Sequence, residues 1–259
     1  MPNLRGRPDK FFAITADWDS RTVKAALARL EPRQWQFATA LALTRTGQRI
    51  KAAEVDEMRR VFDRPTPFTL RSVYLDPATR AKQEARVWFK DWAPKGTPAG
   101  KYLLPEVHGG RRNHKRFELA LQYAGLLPPG RALVPASTAP LDQYGNVKRG
   151  LYSKILSQLQ AHPTAYANET ARDRRKRNAN PRQRGGRYFY GNPGGKGRGI
   201  WERFTFAFGS AVKPIFIEVP RLPTYRKLFN FFDVGTRVAG EAFAVEFDKA
   251  AAETLRTAR

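Results

Sequence analysis

The run YFYGNPGGKGRGIWERF, residues 188–204, carries the clearest structural pattern in the chain and opens a segment that continues to residue 259. An aromatic triplet, a glycine-rich turn and a run of large apolar and charged residues follow one another, which predicts a β-hairpin. The run KPIFIEV at residues 213–219 is β-branched and aromatic and ends at Pro220, so it predicts a further strand. Beyond Pro223 the apolar residues take helical spacing, which predicts a long amphipathic helix.

Helices and paired strands are also predicted within residues 1–93. The first sixteen residues are basic and rich in turn formers, which favours an arm, and Ser20 is a suitable N-cap for a helix to Leu30. Pro32 suits the first turn of a second helix, whose apolar spacing continues to Val61. Residues 72–75 and 84–90 then predict paired strands, since apolar and polar residues alternate in the second run.

The middle of the chain, residues 94–170, differs because proline and glycine interrupt it repeatedly. Short helices are predicted over residues 113–124 and 151–160, and their apolar faces are modest. We therefore expect an insertion of short helices and loops packed against the main body, with an independent small domain as the alternative.

These patterns together predict an α+β fold in which an antiparallel β-sheet or sandwich is packed by long helices and carries a largely helical insertion. Residues 1–93 and 188–259 are expected to form one fold, because each strand group alone is too small to bury a core. The strands of residues 72–90 and 188–219 would then belong to one sheet system covered by the C-terminal helix.

The net charge is the strongest compositional signal. The 47 Lys and Arg against 23 Asp and Glu give +24, far beyond the charge of about 2 to 8 that keeps an ordinary small domain soluble. Such a field favours a polyanion or an acidic protein surface as partner. The sequence has no cysteine, no apolar run that could span a bilayer and no signal-peptide core at its start, so we expect a soluble intracellular product without membrane contact.

A basic segment at residues 171–187 is the sharpest local feature. Because like charges repel and no apolar period is present, we expect a mobile arm or loop that contacts nucleic acid or another polyanion without sequence preference. A solvated loop and an interface with acidic protein are the alternatives. The candidate contact residues are Arg172, Arg174, Arg175, Lys176, Arg177, Arg182, Arg184 and Arg187.

Catalytic patterns are weak, so we expect no enzyme activity, no cofactor and no metal. His108 and His114 stand six residues apart, which matches no standard metal motif, and His162 is isolated. The glycine-rich run at residues 191–197 lacks the Gly-Lys-Ser/Thr ending of a nucleotide-binding loop. A nuclease also needs clustered acidic ligands, and this chain has few acids.

The strand GIWER at residues 199–203, the strand KPIFIEVP at residues 213–220 and the closing helix resemble the end of phage minor tail proteins of the lambda Z type. The helical run ATALALTRT at residues 38–46, followed by a strand around residues 85–87, is similar to an early helix and basic strand of the same family. Leu43-Thr44 stands where the family usually has Leu-Asn, and the insertion is larger than expected.

The resemblance implies a tail-completion protein, a structural virion component at the head–tail connector or upper tail that forms a homo-oligomeric ring along the DNA path. Implied partners are other neck or tail proteins, namely connector, terminator and tail tube, with genomic DNA as a further contact. The implied location is the virion, and the host cytoplasm during assembly. The alternatives are a DNA-binding packaging or ejection protein carried in the virion and, from another class, a DNA-processing enzyme.

Overall fold

The computed structural model of the protein describes residues 11–15, 31–94, 96–179, 187–206 and 208–257. In chain order the helices and strands are β1 (Phe11–Thr15), α1 (Pro32–Val61), α2 (Pro67–Leu70), β2 (Val73–Asp76), β3 (Glu84–Phe89), α3 (Ala99–His108), β4 (Gly110–Arg111), α4 (Arg116–Tyr123), β5 (Ala132–Pro135), α5 (Arg149–Gln158), α6 (Ala171–Ala179), β6 (Arg187–Gly191), β7 (Gly199–Phe206), β8 (Gly209–Val219), β9 (Thr224–Tyr225) and α7 (Phe231–Thr257). Helices and antiparallel sheets give the predicted α+β fold.

The chain divides into two compact units. The first unit comprises Met1–Gly110 and Tyr225–Arg259, and the second comprises Arg111–Thr224. The second unit is thus inserted into the first between α3 and α7. The short strands β4 and β9, which pair with each other, contain the two boundaries.

The first unit combines a three-stranded sheet, in the order β1-β3-β2, with the long helices α1 and α7. Pro32 starts α1 as predicted. The apolar residues of α1 recur on one face of the helix, where Leu43, Ile50 and Met58 are fully buried. Phe247 of α7 joins the same core. Two ion pairs tie the helices together: Arg45 to Glu253 at 2.8 Å and Arg49 to Glu246 at 2.6 Å.

The second unit is built on a four-stranded antiparallel sheet in the order β5-β8-β7-β6. Its core joins Ile200 and Phe216 of the sheet to Leu121 of α4 and Ile155 of α5, all buried. Phe216 also contacts the ring of Phe117, with the centroids 5.3 Å apart. The two short helices therefore cover the sheet and supply a large share of its core.

The structure corrects the expected domain organisation. Residues 72–90 and 188–219 do not share a sheet: β2 and β3 pair in the first unit, while β6, β7 and β8 pair in the second. The supposed insertion over residues 94–170 is instead mostly part of the second unit, and it provides β5 and both covering helices. The reason is that the helices of residues 116–158 bury the apolar face of the sheet directly, so the C-terminal helix packs on α1 instead.

Local predictions fared better. The helix of residues 32–61, the pair β2–β3, the strands β6, β7 and β8, and the long C-terminal helix are confirmed in place. The arm expected over the first sixteen residues is wrong for Phe11–Thr15, which form β1 and pair with β3. The helix predicted from Ser20 to Leu30 lies outside the described residues.

Gly199, in the sheet of the second unit, leaves no room for a side chain. A Cβ at Gly199 would lie 2.1 Å from the carbonyl oxygen of Phe216 and 3.0 Å from the Cα of Ile217, both backbone atoms of β8. Backbone in a paired strand cannot move aside cheaply. We expect Gly199→Ala to lower the free energy of unfolding by about 3 kcal/mol, measured by chemical denaturation.

Gly150 provides the matched control for this substitution. It lies in the first turn of α5 with open space where a Cβ would be added. Gly150→Ala should raise stability by up to about 1 kcal/mol, because alanine favours helix. Equal effects of the two substitutions would show that β7 and β8 are less closely apposed than the structure has them.

Candidate nucleic-acid interface

The acidic side chains of the second unit are bonded to groups within it. Residues 111–224 contain 21 Lys and Arg against 6 Asp and Glu, a net charge of +15 out of the chain's +24. Four of the six carboxylates are largely buried and bonded to cations. These contacts are Glu118 to Arg112 (2.5 Å), Glu169 to Arg177 (2.7 Å), Glu202 to Lys213 (3.1 Å) and Glu218 to Arg131 (2.5 Å).

The other two carboxylates accept hydrogen bonds locally, Asp142 within a backbone turn and Asp173 at the start of a helix. The Oδ1 atom of Asp142 accepts from the amides of Tyr144 and Asn146, both at 2.9 Å. Asp173 accepts from the Thr170 hydroxyl at 2.6 Å, and this bond lowers its pKa below the usual range. The acidic side chains of this unit are therefore engaged in hydrogen bonds and ion pairs within the unit. Its remaining exposed charge is overwhelmingly positive.

The basic segment begins as a helix, which corrects the expected arm or loop over residues 171–179. Thr170 caps α6: its hydroxyl accepts from the amide of Asp173 at 3.1 Å, and its carbonyl accepts from the amide of Arg174 at 3.0 Å. Arginine, lysine and alanine are also strong helix formers. No residue of α6 is buried, so capping and propensity hold this helix without an apolar face.

A bidentate ion pair fixes α6 to the unit. Arg177 donates from Nε and Nη2 to the two carboxylate oxygens of Glu169, at 2.7 and 2.9 Å. The backbone of Glu169 is itself held, because its amide donates to the carbonyl of Ser157 at 3.1 Å. Arg177 is half-buried by this contact, so it positions the helix and is not a free contact residue.

The remaining predicted contact residues separate into three groups. Arg172, Arg174, Arg175 and Lys176 are exposed on α6, and Arg172, Arg175 and Lys176 share one face because they are three or four positions apart. None of these three forms an ion pair with a described residue. Arg187 begins β6 and is exposed. Arg182 and Arg184 lie outside the described residues.

Sequence reasoning missed several basic residues of the second unit. Lys196 and Arg198 are exposed in the β6–β7 turn, and Arg203 is exposed on β7 directly opposite Arg187. Alternation along β6 and β7 could have placed Arg187 and Arg203 on outward positions, but only the register shows that they are neighbours. The T-x-x-D pattern at residues 170–173 was likewise a readable helix start.

Searches of family models, curated proteins and solved structures found no significant match to this chain. Its function must therefore be argued from its own geometry. In the described part of the chain no group of three His, Asp or Glu side chains could hold a metal ion. Among the described helices none is both long and apolar enough to cross a membrane.

Proposed function

We propose that this protein is a structural component of a tailed-phage virion, a tail-completion or head–tail connector protein that forms a ring and contacts the DNA passing through it. The exposed face of α6 is the proposed DNA contact. The observation that carries the proposal is the charge separation of the second unit, where carboxylates are bonded internally and cations face outward.

Electrostatics favours a phosphate backbone as the partner of this surface. Duplex DNA carries one negative charge per about 1.7 Å of axis, and neutralising it with Lys and Arg releases counterions whatever the base sequence. Arg172, Arg175 and Lys176 offer three exposed cations on one helix face, and the nearby Asp173 carboxylate is hydrogen-bonded to Thr170 and forms no close ion pair with them. A backbone-directed contact suits a protein that DNA must slide past.

The virion role is supported by the motifs that resemble the phage tail family. The GIWER run lies on β7, the KPIFIEV run lies on the adjacent β8, and the closing helix is α7. The helix ATALALTRT lies within α1. A ring is the assembly expected at such a junction, since head-to-tail contacts related by rotation close on themselves.

The DNA contact is tested by replacing the four exposed cations of α6, Arg172, Arg174, Arg175 and Lys176, with glutamine. Arg177 is left unchanged because it forms the bidentate ion pair with Glu169 that fixes α6. Binding of labelled duplexes of two unrelated sequences would be followed by fluorescence anisotropy between 50 and 200 mM NaCl. We expect equal affinities for both sequences, and a slope of log K against log salt that falls by up to about 4 in the variant.

A second variant separates the role of α6 from net charge alone. It removes four exposed cations of the first unit that form no ion pair with a described residue: Arg33, Lys51, Lys101 and Arg226, each changed to glutamine. This control loses the same charge and should change the slope far less. Equal losses in both variants would mean that charge, and not α6, sets the affinity.

The virion role needs a particle assay. Phage assembled without this protein should accumulate separate heads and tails in negative-stain images, and the purified protein should form rings when mixed with neck or tail proteins. Intact particles that fail only to deliver DNA would instead favour the packaging or ejection protein. At low salt the isolated protein should be mainly monomeric, because +24 on each copy opposes self-association.

A further inference from the structure

Two arginines face each other across the β6–β7 pair. Arg187 and Arg203 are directly opposite in the antiparallel register, so they project from the same face of the sheet. Both are exposed, and neither forms an ion pair with a described residue. The same sheet pairs other charges favourably: Glu202 is opposite Lys213 with 3.1 Å between them, and Glu218 bonds Arg131.

Like charges directly opposite each other destabilise a sheet, and no carboxylate of a described residue forms an ion pair with either arginine to offset that cost. Arg203 is also held in place, because its guanidinium lies over the ring of Phe189, 5.4 Å from the centroid. Phe189 is two residues beyond Arg187 and thus on the same face. The result is a pair of exposed arginines at directly opposite strand positions, of which Arg203 is held by an aromatic ring.

We infer that Arg187 and Arg203 together clamp a single phosphate group. A guanidinium presents a planar fork of N–H donors that matches the oxygens of a phosphate, and two forks can grip one phosphate from two sides. Bound anion would remove the repulsion between the two cations. That the phosphate belongs to a nucleic-acid backbone rests on the proposed function, whereas the juxtaposition of the two arginines follows from the register.

Substituting the two arginines by threonine tests the clamp in the full-length protein, since threonine is well accepted in strands. Arg187→Thr should raise the thermal midpoint without DNA by about 1 to 3 °C at low salt, because repulsion is relieved. The same variant should bind duplex DNA about tenfold more weakly at 100 mM salt. Arg203→Thr should weaken binding similarly.

The double variant decides whether one phosphate is shared. Each phosphate contact contributes about 0.9 to the slope of log K against log salt on duplex DNA. With one shared phosphate, the slope should fall by about 1 in the double variant; two separate contacts would lower it by about 2 and overturn the clamp. Arg33→Gln, which removes one exposed charge from the first unit, serves as the control.

Inorganic phosphate distinguishes the source of the anion. Wild-type protein warmed in 10 mM phosphate, compared with chloride of equal ionic strength, should gain less than 1 °C if the clamp needs a nucleic-acid backbone. A larger gain that Arg187→Thr abolishes would keep the clamp and assign it to free phosphate.

If Arg187→Thr lowers the midpoint and leaves DNA binding unchanged, the pair is structural and the inference is wrong. If Arg187→Thr and Arg203→Thr weaken DNA binding but the α6 variant does not, the α6 contact is refuted and the clamp stands.

Discussion

Glu54→Gln is expected to make the protein more stable, by an amount that grows with pH. Glu54 is fully buried between Ile50 and Met58 on the inner face of α1, and no hydrogen-bond partner meets either carboxylate oxygen in the described chain. Burial, and to a smaller degree the nearby Glu57 carboxylate, raises the pKa of Glu54 from its ordinary 4.5 to about 9. The folded protein therefore holds this carboxyl protonated at neutral pH.

The sign of the pH dependence follows from that raised pKa. The folded state binds a proton that the unfolded state has lost above pH 4.5, so wild-type stability falls as pH rises towards 9. The cost grows by about 1.4 kcal/mol per pH unit, reaching about 3 kcal/mol at pH 7. Glutamine is neutral at every pH, so the variant does not carry this cost. Chemical denaturation at pH 5, 7 and 8.5 measures the free energy of unfolding. The variant should nearly equal wild type at pH 5 and should exceed it by a growing amount at pH 7 and 8.5.

Glu57→Gln, one turn further along α1, is the control with the opposite sign. Its hydrogen bond to Arg60 lowers the pKa of Glu57, so the charged form is the stabilised one. That substitution should slightly weaken the fold above pH 5, and it should not reproduce the growing gain of Glu54→Gln, because the Glu57 charge is only the smaller cause of the raised Glu54 pKa. A Glu54→Gln difference that stays constant from pH 5 to 8.5 would show that Glu54 is already ionised in the folded protein.

Removing the Glu118 carboxylate is expected to cost more than any surface change. Glu118 is fully buried in α4 and accepts four hydrogen bonds: two from Arg112 at 2.5 and 2.7 Å, one from the amide of Lys115 at 2.8 Å and one from the amide of Leu133 at 2.9 Å. Burial alone would raise the pKa of Glu118, but the bonds to Arg112 and the backbone outweigh it and lower that pKa.

Glu118→Ala leaves Arg112 with a buried charge and no carboxylate, which should lower the free energy of unfolding by about 3 to 5 kcal/mol. Combining Arg112→Met with Glu118→Leu should recover part of that loss, since an apolar pair carries no buried charge. The backbone amides of Lys115 and Leu133 would still lack their acceptor. Chemical denaturation of both variants at pH 7 measures the difference, and a double variant no better than Glu118→Ala would mean that the amide bonds dominate.

How far the sequence predicts this protein depends on the range of each interaction. The 30-residue α1, the alternating strand β3 and the strands β7 and β8 follow from local periodicity and from proline at their ends. The candidate interface was only partly readable. Clustered cations on residues 172–177 predicted a polyanion surface, yet the same charges hid the helix, because α6 has no apolar face to signal it.

The α+β class, the long helices, most of the strands and the strong positive field follow from the sequence, since these depend on composition and on neighbours along the chain. Three features needed the three-dimensional structure: which elements share a unit, the ion pair of Arg177 with Glu169, and the position of Arg187 opposite Arg203. The physical reason is that an amphipathic strand or helix shows that one face will be buried but not what will cover it. Pairing across a sheet also depends on register, and a shift of one residue sends each side chain to the opposite face.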